Sequence, residues 1–272
     1  MRTVAFAFTL VTVVLMLHPL ARGAAHLARA LMGSALGRSL RLRVARADPG
    51  VSAELARRAE LRRMGGLPLT LAIGATLCLA AWSAGMVSTD WISRCDHWTE
   101  DLLSPYRTVP LVNAFAGLTN LGRTAALAGI VLVATGLLSR LERPLVLPLW
   151  VAFLGSEVST WLAKYGFDRP RPDIETGISA LGPSFPSAHA SGSMAVFGFL
   201  AYAIARGLGR GKTFEVWYWA VVLVFVVGFS RVFLGVHYLS DVVAGWAVGA
   251  FWVLAATALT GGQAAAAVGD PK

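Results

Sequence analysis

Apolar residues along this chain come in long blocks and show no alternating pattern. Stretches rich in Leu, Val, Ala, Ile and Phe run approximately from 3 to 20, 67 to 89, 122 to 141, 144 to 163, 187 to 206, 215 to 234 and 238 to 260. Each approaches the roughly 20 residues that a helix needs to cross the hydrocarbon core of a bilayer. The pattern predicts an all-α fold, a polytopic transmembrane helical bundle with six core helices and one further membrane helix at the N-terminus. Between 96 and 120, Trp98, Leu102, Leu103, Tyr106, Phe115 and Leu118 are mixed with Asp, Glu and Thr. That mixture predicts one or two helices lying at the membrane interface, over one end of the bundle.

Charge orients the spans. Residues 21 to 66 carry arginines at 22, 29, 38, 41, 43, 46, 57, 58, 62 and 63 against Asp48, Glu54 and Glu60, so the positive-inside rule assigns this segment to the cytoplasm. Alternation then puts 90 to 121 outside, where Asp90, Asp96, Glu100 and Asp101 face only Arg94 and Arg107. Arg140 with Arg143, and Arg206 with Arg210 and Lys212, fall inside. The first apolar run has a signal-peptide alternative, with small residues near Ala24, but cleavage would invert every later span against its charge bias. The expected organisation is an N-terminal anchor and basic cytoplasmic segment (1–66), a transmembrane domain (67–260) and a flexible tail (261–272).

With 56% hydrophobic and 14% charged residues, the chain is too apolar for a soluble domain of its length. The net charge of +9 does not indicate nucleic acid, because the basic residues flank apolar runs. Two cysteines, Cys78 and Cys95, provide neither a disulfide framework nor metal-ligand spacing. No metal or cofactor is expected.

Three polar blocks carry the chemistry: Lys164-x6-Arg171-Pro172, Pro186-Ser187-Ala188-His189, and Ser230-Arg231-x5-His237-x3-Asp241. The topology drawn from charge alone brings all three to one outer surface. His237 and Asp241, at i and i+4 where the last helix begins, share a face, so the carboxylate can accept from Nδ1 and leave Nε2 free. The planar fork of Arg231 suits two phosphate oxygens. Ser187 is placed to cap the next helix, whose first-turn N–H groups favour an anion. Pro170 and Pro172 stiffen the segment that aims Arg171.

These blocks resemble the signatures of the type 2 phosphatidic acid phosphatase superfamily, K-x6-R-P, P-S-G-H and S-R-x5-H-x3-D, with Ala188 in place of the usual glycine. The resemblance implies that His237 is the nucleophile of a phosphohistidine intermediate, oriented by Asp241, and that His189 is the general acid. It further implies that Lys164, Arg171, Ser187, Ala188 and Arg231 bind the phosphate of an amphiphilic substrate at the membrane surface. The implied substrates are lipid phosphates or diphosphates, with polyprenyl diphosphates and glycerophospholipid phosphates favoured. A bacterial inner membrane with the site facing outward is the expected location. A lipid phosphotransferase, or a non-catalytic lipid-phosphate binder marked by Ala188, are the competing readings.

Four further positions are weighed. Arg169 is expected to snorkel to headgroups, and Asp168 and Asp173 to be paired or solvated. Glu157, inside an apolar span, either orients Lys164 through water or hydrogen-bonds within the bundle. Gly245 and Gly249 form a small-xxx-small pair expected to serve close helix packing, with homodimerisation the alternative.

Overall fold

The computed structural model describes residues 90–268 except 175, 179 and 209, together with His18, Pro19 and Arg22. The apolar runs at 3–20 and 67–89 lie outside the described residues. Among those described, all regular structure is helical. The elements are α1 (Asp90–Leu103), α2 (Val109–Thr119), α3 (Thr124–Leu141), α4 (Val146–Phe167), α5 (Ala188–Arg206), α6 (Arg210–Phe233) and α7 (Leu239–Val268). Short 3-10 turns at Ser104–Tyr106, Asn120–Gly122 and Arg143–Leu145 lead into the helices that follow them.

Among the described residues, five segments are long and apolar enough to cross a membrane: Thr124–Leu141, Arg143–Phe167, Ala188–Arg206, Gly211–Phe233 and Leu239–Thr260. They coincide with the last five apolar runs of the sequence. α1 and α2 are shorter and correspond to the mixed stretch between 96 and 120.

α5 is the central helix, packed against α4, α6 and α7. Small residues let α7 approach it closely. A Cβ on Gly245 would lie 2.6 Å from the Ser187 carbonyl oxygen, and one on Gly249 would collide with that of Ser191. The pair thus serves contact between α5 and α7, which matters where lipid removes the hydrophobic drive for helix association and leaves van der Waals packing to supply it.

Two apolar clusters hold the bundle. One joins α3, α4, α5 and α7 through Leu127, Val131, Leu149, Phe153, Phe199 and Ala256. The other lies beneath the polar end and joins α1, α2, α5, α6 and α7 through Leu103, Phe115, Ala190, Phe233 and Val242. At the far end of α6, His18 Nε2 lies 2.7 Å from Glu215 Oε2, and Arg22 donates to the same carboxylate.

Candidate active site

The site is assembled from four helix ends, those of α4 and α6 and the starts of α5 and α7, at one end of the bundle. α4 ends at Phe167, and Asp168, in the left-handed conformation at φ 45°, closes it by donating its N–H to the Lys164 carbonyl at 3.0 Å. The extended Arg169–Pro172 segment is tied to the loop ahead of α5. Ser184 N–H donates to the Arg169 carbonyl at 2.8 Å, and Ser184 Oγ donates to that of Pro170 at 2.9 Å. Ser187 N–H donates to the Asp241 carbonyl at 3.0 Å, which sets the start of α5 beside that of α7.

Between α6 and α7 the chain turns at Gly235, whose φ of +67° and 2.8 Å separation between a built Cβ and Ile174 Cβ both exclude a side chain. That turn delivers His237 two residues before α7, while Asp241 lies in the first turn. Tyr238 N–H donates to Asp241 Oδ2 at 2.9 Å and so caps the helix.

His237 is 2% exposed and Asp241 fully buried. His237 Nδ1 faces Asp241 Oδ2 at 3.5 Å, an ion-pair distance longer than a full hydrogen bond. On the other side of the ring, Arg171 Nη1 lies 3.2 Å from Nε2. An arginine can only donate, so Nε2 carries the lone pair and the ring proton resides on Nδ1, towards Asp241. Burial lowers the His237 pKa to about 4, against the opposing pull of Asp241. The ring is therefore neutral at physiological pH.

Three cations cluster at this end of the bundle, with Arg171 against the ring itself. Lys164 Nζ donates to the carbonyls of Pro183 at 2.6 Å and Ser184 at 3.4 Å. Arg171 is held by the carbonyls of Leu181, Gly182, Pro183 and Val236, the last at 2.6 Å. Arg231 Nη1 donates to Thr119 Oγ1 at 3.0 Å, while its Nε is buried without a partner among the described residues. No described carboxylate forms an ion pair with any of the three. The arrangement can bind an anion with spread charge and expose it to Nε2.

Arg169 departs from expectation. It bridges two buried acids, Asp96 at 2.9 Å and Asp241 at 2.6 Å, with Tyr238 stacked at 4.2 Å on its guanidinium. Burial opposes its charge, but Asp241 and Asp96 outweigh that and raise its pKa above the ordinary arginine range. Asp96, 1% exposed on α1, also accepts from Ser240 N–H at 2.9 Å and Ser240 Oγ at 2.6 Å.

Ser187 occupies the N-cap position of α5, yet its hydroxyl makes no capping bond; it is buried and without a partner among the described residues. Ala188 is the first residue of α5, and its φ is not positive, so the backbone here makes no demand for glycine. His189 follows in the first turn, among the charges of Arg231, Arg123 and Lys164 and near His237. Glu157 accepts from Thr124 Oγ1 at 2.8 Å, which is the bundle hydrogen bond of the two readings offered for it. Asp168 and Asp173 are exposed.

A family model described as the PAP2 superfamily matches residues 145–263, a stretch holding all three polar blocks. Over this stretch the chain is similar to the PAP2 superfamily. It is 27% identical over 170 residues to phosphatidylglycerophosphatase B of Bacillus subtilis (strain 168), covering 61% of this chain and 83% of that protein. The crystal structure of a transmembrane PAP2-type phosphatidylglycerolphosphate phosphatase from Bacillus subtilis matches with a TM-score of 0.63 at 24% identity, over 68% of this chain and 94% of its own. Its helical fold is shared. The crystal structure of Aquifex aeolicus LpxE gives a TM-score of 0.47 at 22% identity, over 58% and 92% of the two chains.

The motif residues Lys164, Arg171, Arg231, His189, His237 and Asp241 gather at one end, as their order along the spans implied. Sequence reasoning missed Asp96, Thr119, Arg107 and the true partners of Arg169. Arg107 donates from Nε to the Phe233 carbonyl at 2.9 Å and from Nη2 to that of Val232 at 3.2 Å, capping α6 beside Arg231. These residues lie outside the motif spacing, and their only sequence signal is a polar residue in an otherwise interfacial helix or turn.

Proposed function

We propose that this protein hydrolyses the phosphate or diphosphate of a membrane lipid through a phosphohistidine on His237, without a metal, at the extracytoplasmic face. The observation that carries the reading is a buried, neutral histidine whose Nε2 lies 3.2 Å from Arg171, in a cluster of charges with Arg231 and Lys164, none of the three forming an ion pair with a described carboxylate. His237 Nε2 attacks phosphorus and the bond from phosphorus to the leaving oxygen breaks. Lys164, Arg171 and Arg231 neutralise the oxygens as charge develops on them. Asp241 stabilises the positive charge acquired by the imidazole, and His189 gives its proton to the leaving oxygen. A water then delivers its proton to His189 and its oxygen to phosphorus, releasing inorganic phosphate and restoring His237.

The site at the end of five membrane-crossing segments suits a substrate whose phosphate lies at the interface while its tails stay in lipid. Glycerophospholipid phosphates and polyprenyl diphosphates both fit that description. Similarity to a phosphatidylglycerophosphatase supports the former. The reading as an inert binder loses its motive, since Ala188 sits in helical backbone where glycine is not required.

The test is phosphate release by detergent-purified protein from a panel of lipid phosphates in excess chelator. The wild type is expected to release phosphate, and His237→Ala to lose roughly a thousandfold or more, as removal of a nucleophile does in other covalent hydrolases. Equal release by the two proteins, or loss of wild-type activity with chelator, sinks the mechanism.

A further inference from the structure

The turn between α2 and α3 carries a cation that the proposed reaction leaves unused. Thr119 accepts from Arg231, and Gly122 lies against His189. A Cβ built on Gly122 would stand 3.2 Å from His189 Cβ and 3.3 Å from its Cδ2, and would collide with Val227. The backbone therefore runs as close to His189 as a glycine permits, and the next residue is Arg123.

Arg123 breaks local rules. It occupies the N-cap of α3, where Asp, Asn, Ser or Thr would normally satisfy the first-turn N–H groups, and it makes no side-chain capping bond. Its cation stands at the positive end of an 18-residue helix, next to the charge of Arg231. No carboxylate answers it among the described residues; its one polar contact is Asn120 Oδ1 at 3.5 Å, and the side chain is exposed. A residue placed against helix dipole, neighbouring charge and capping preference together calls for an anion that the fold does not itself supply.

Position says which anion. Gly122, the residue before Arg123, packs against the His189 ring, and the charges bearing on His189 are Arg231 first, then His237, Arg123 and Lys164, whereas those bearing on His237 are Asp241, Arg231 and Arg171. If His189 serves the leaving oxygen, the complement of Arg123 belongs to the departing part of the substrate. We propose that Arg123 forms a second phosphate subsite on the leaving-group side of His189, which selects lipids whose leaving group carries a phosphate of its own. This rests on the hydrolase reading above and narrows its substrate class. A prenyl phosphate leaving a prenyl diphosphate meets the requirement, and so does phosphatidylglycerol leaving phosphatidylglycerophosphate. Diacylglycerol leaving phosphatidic acid does not.

The experiment measures kcat/KM for wild type, Arg123→Gln and Arg123→Lys on a prenyl diphosphate, phosphatidylglycerophosphate and phosphatidic acid, at one detergent mole fraction. Arg123→Gln is expected to lower kcat/KM about tenfold or more on a two-phosphate substrate, the scale of one lost charge-assisted hydrogen bond. Phosphatidic acid should stay within about twofold, which also reports that the variant is folded, and Arg123→Lys should recover most of the loss. A fall confined to one two-phosphate lipid supports the subsite and identifies the spacing it reads. An equal fall on all three lipids overturns the proposal by placing Arg123 in the general cradle or the fold. No fall on any overturns it by leaving Arg123 a surface cation at the headgroups. A wild type silent on all three lipids fails earlier, at the hydrolase reading, and removes this inference with it.

Discussion

His237 stands between two opposed influences: burial disfavours its charge, and Asp241 at 3.5 Å favours it. Burial wins and places the pKa at about 4, below the 6.5 of a free imidazole. The sign follows directly. A lowered pKa keeps the ring neutral at any pH above about 4, so the proposed nucleophile is competent throughout the physiological range and is lost only as acid protonates Nε2. Nitrogen NMR of histidine-labelled protein in micelles, assigned by His237→Asn, should show this ring neutral from pH 7 to pH 5. A midpoint at or above 6.5 would refute the geometry that gives Nε2 its lone pair. The His237–Asp241 pairing was legible in the sequence because i,i+4 spacing is a local property. The fate of Arg169 was not. Beside two prolines at the end of a membrane span it resembles any snorkelling arginine, and only tertiary contact shows that Asp96, from 73 residues away, holds its other side.

That contact makes α1 more than a cover at the interface. Asp96 joins α1 to the first turn of α7 through Ser240, and to Asp241 through Arg169, so one buried carboxylate holds both the helix start and the acid that faces His237. The mixed composition of 96 to 120 announced short helices, and α1 and α2 are found there. Their docking could not be read, since Asp90, Asp96 and Asp101 look alike along the helix and only packing turns one of them inward. Asp96→Asn keeps the shape but weakens the hold on Arg169. We expect kcat to fall about tenfold with KM within about twofold, because a charged hydrogen bond behind the reacting groups is lost while the phosphate cradle stays. Active-site counting decides between roles. If Asp96 only stabilises the fold, fewer molecules will be active and each will turn over at the normal rate. If it positions Asp241, every molecule will be slow.

Over the whole molecule, the three polar blocks meet because successive spans run antiparallel. α4 and α6 end at the site, α5 and α7 begin there, and residues far apart along the chain need only the correct number of crossings to become neighbours. Span counting is robust to errors of a few residues at each boundary, which is why the bundle and the gathering of the motifs were legible. Side-chain partners are not robust to such errors. The proposed direction of the bundle follows from the same counting, since Arg206 and Lys212 lie at the opposite end from His237 and the positive-inside rule would assign that end to the cytoplasm. Cys95, exposed on α1 at the site end, provides a native probe of that assignment. In a Cys78→Ala background, a membrane-impermeant maleimide added to intact spheroplasts should label Cys95. With Cys95 also replaced, Lys212→Cys should be labelled only after permeabilisation. Labelling in the reverse order would turn the bundle over, place hydrolysis on the cytoplasmic leaflet and force the arginine-rich segment at 21–66 to the outside. That result would also break the link between charge bias and site location on which the proposed face of action depends.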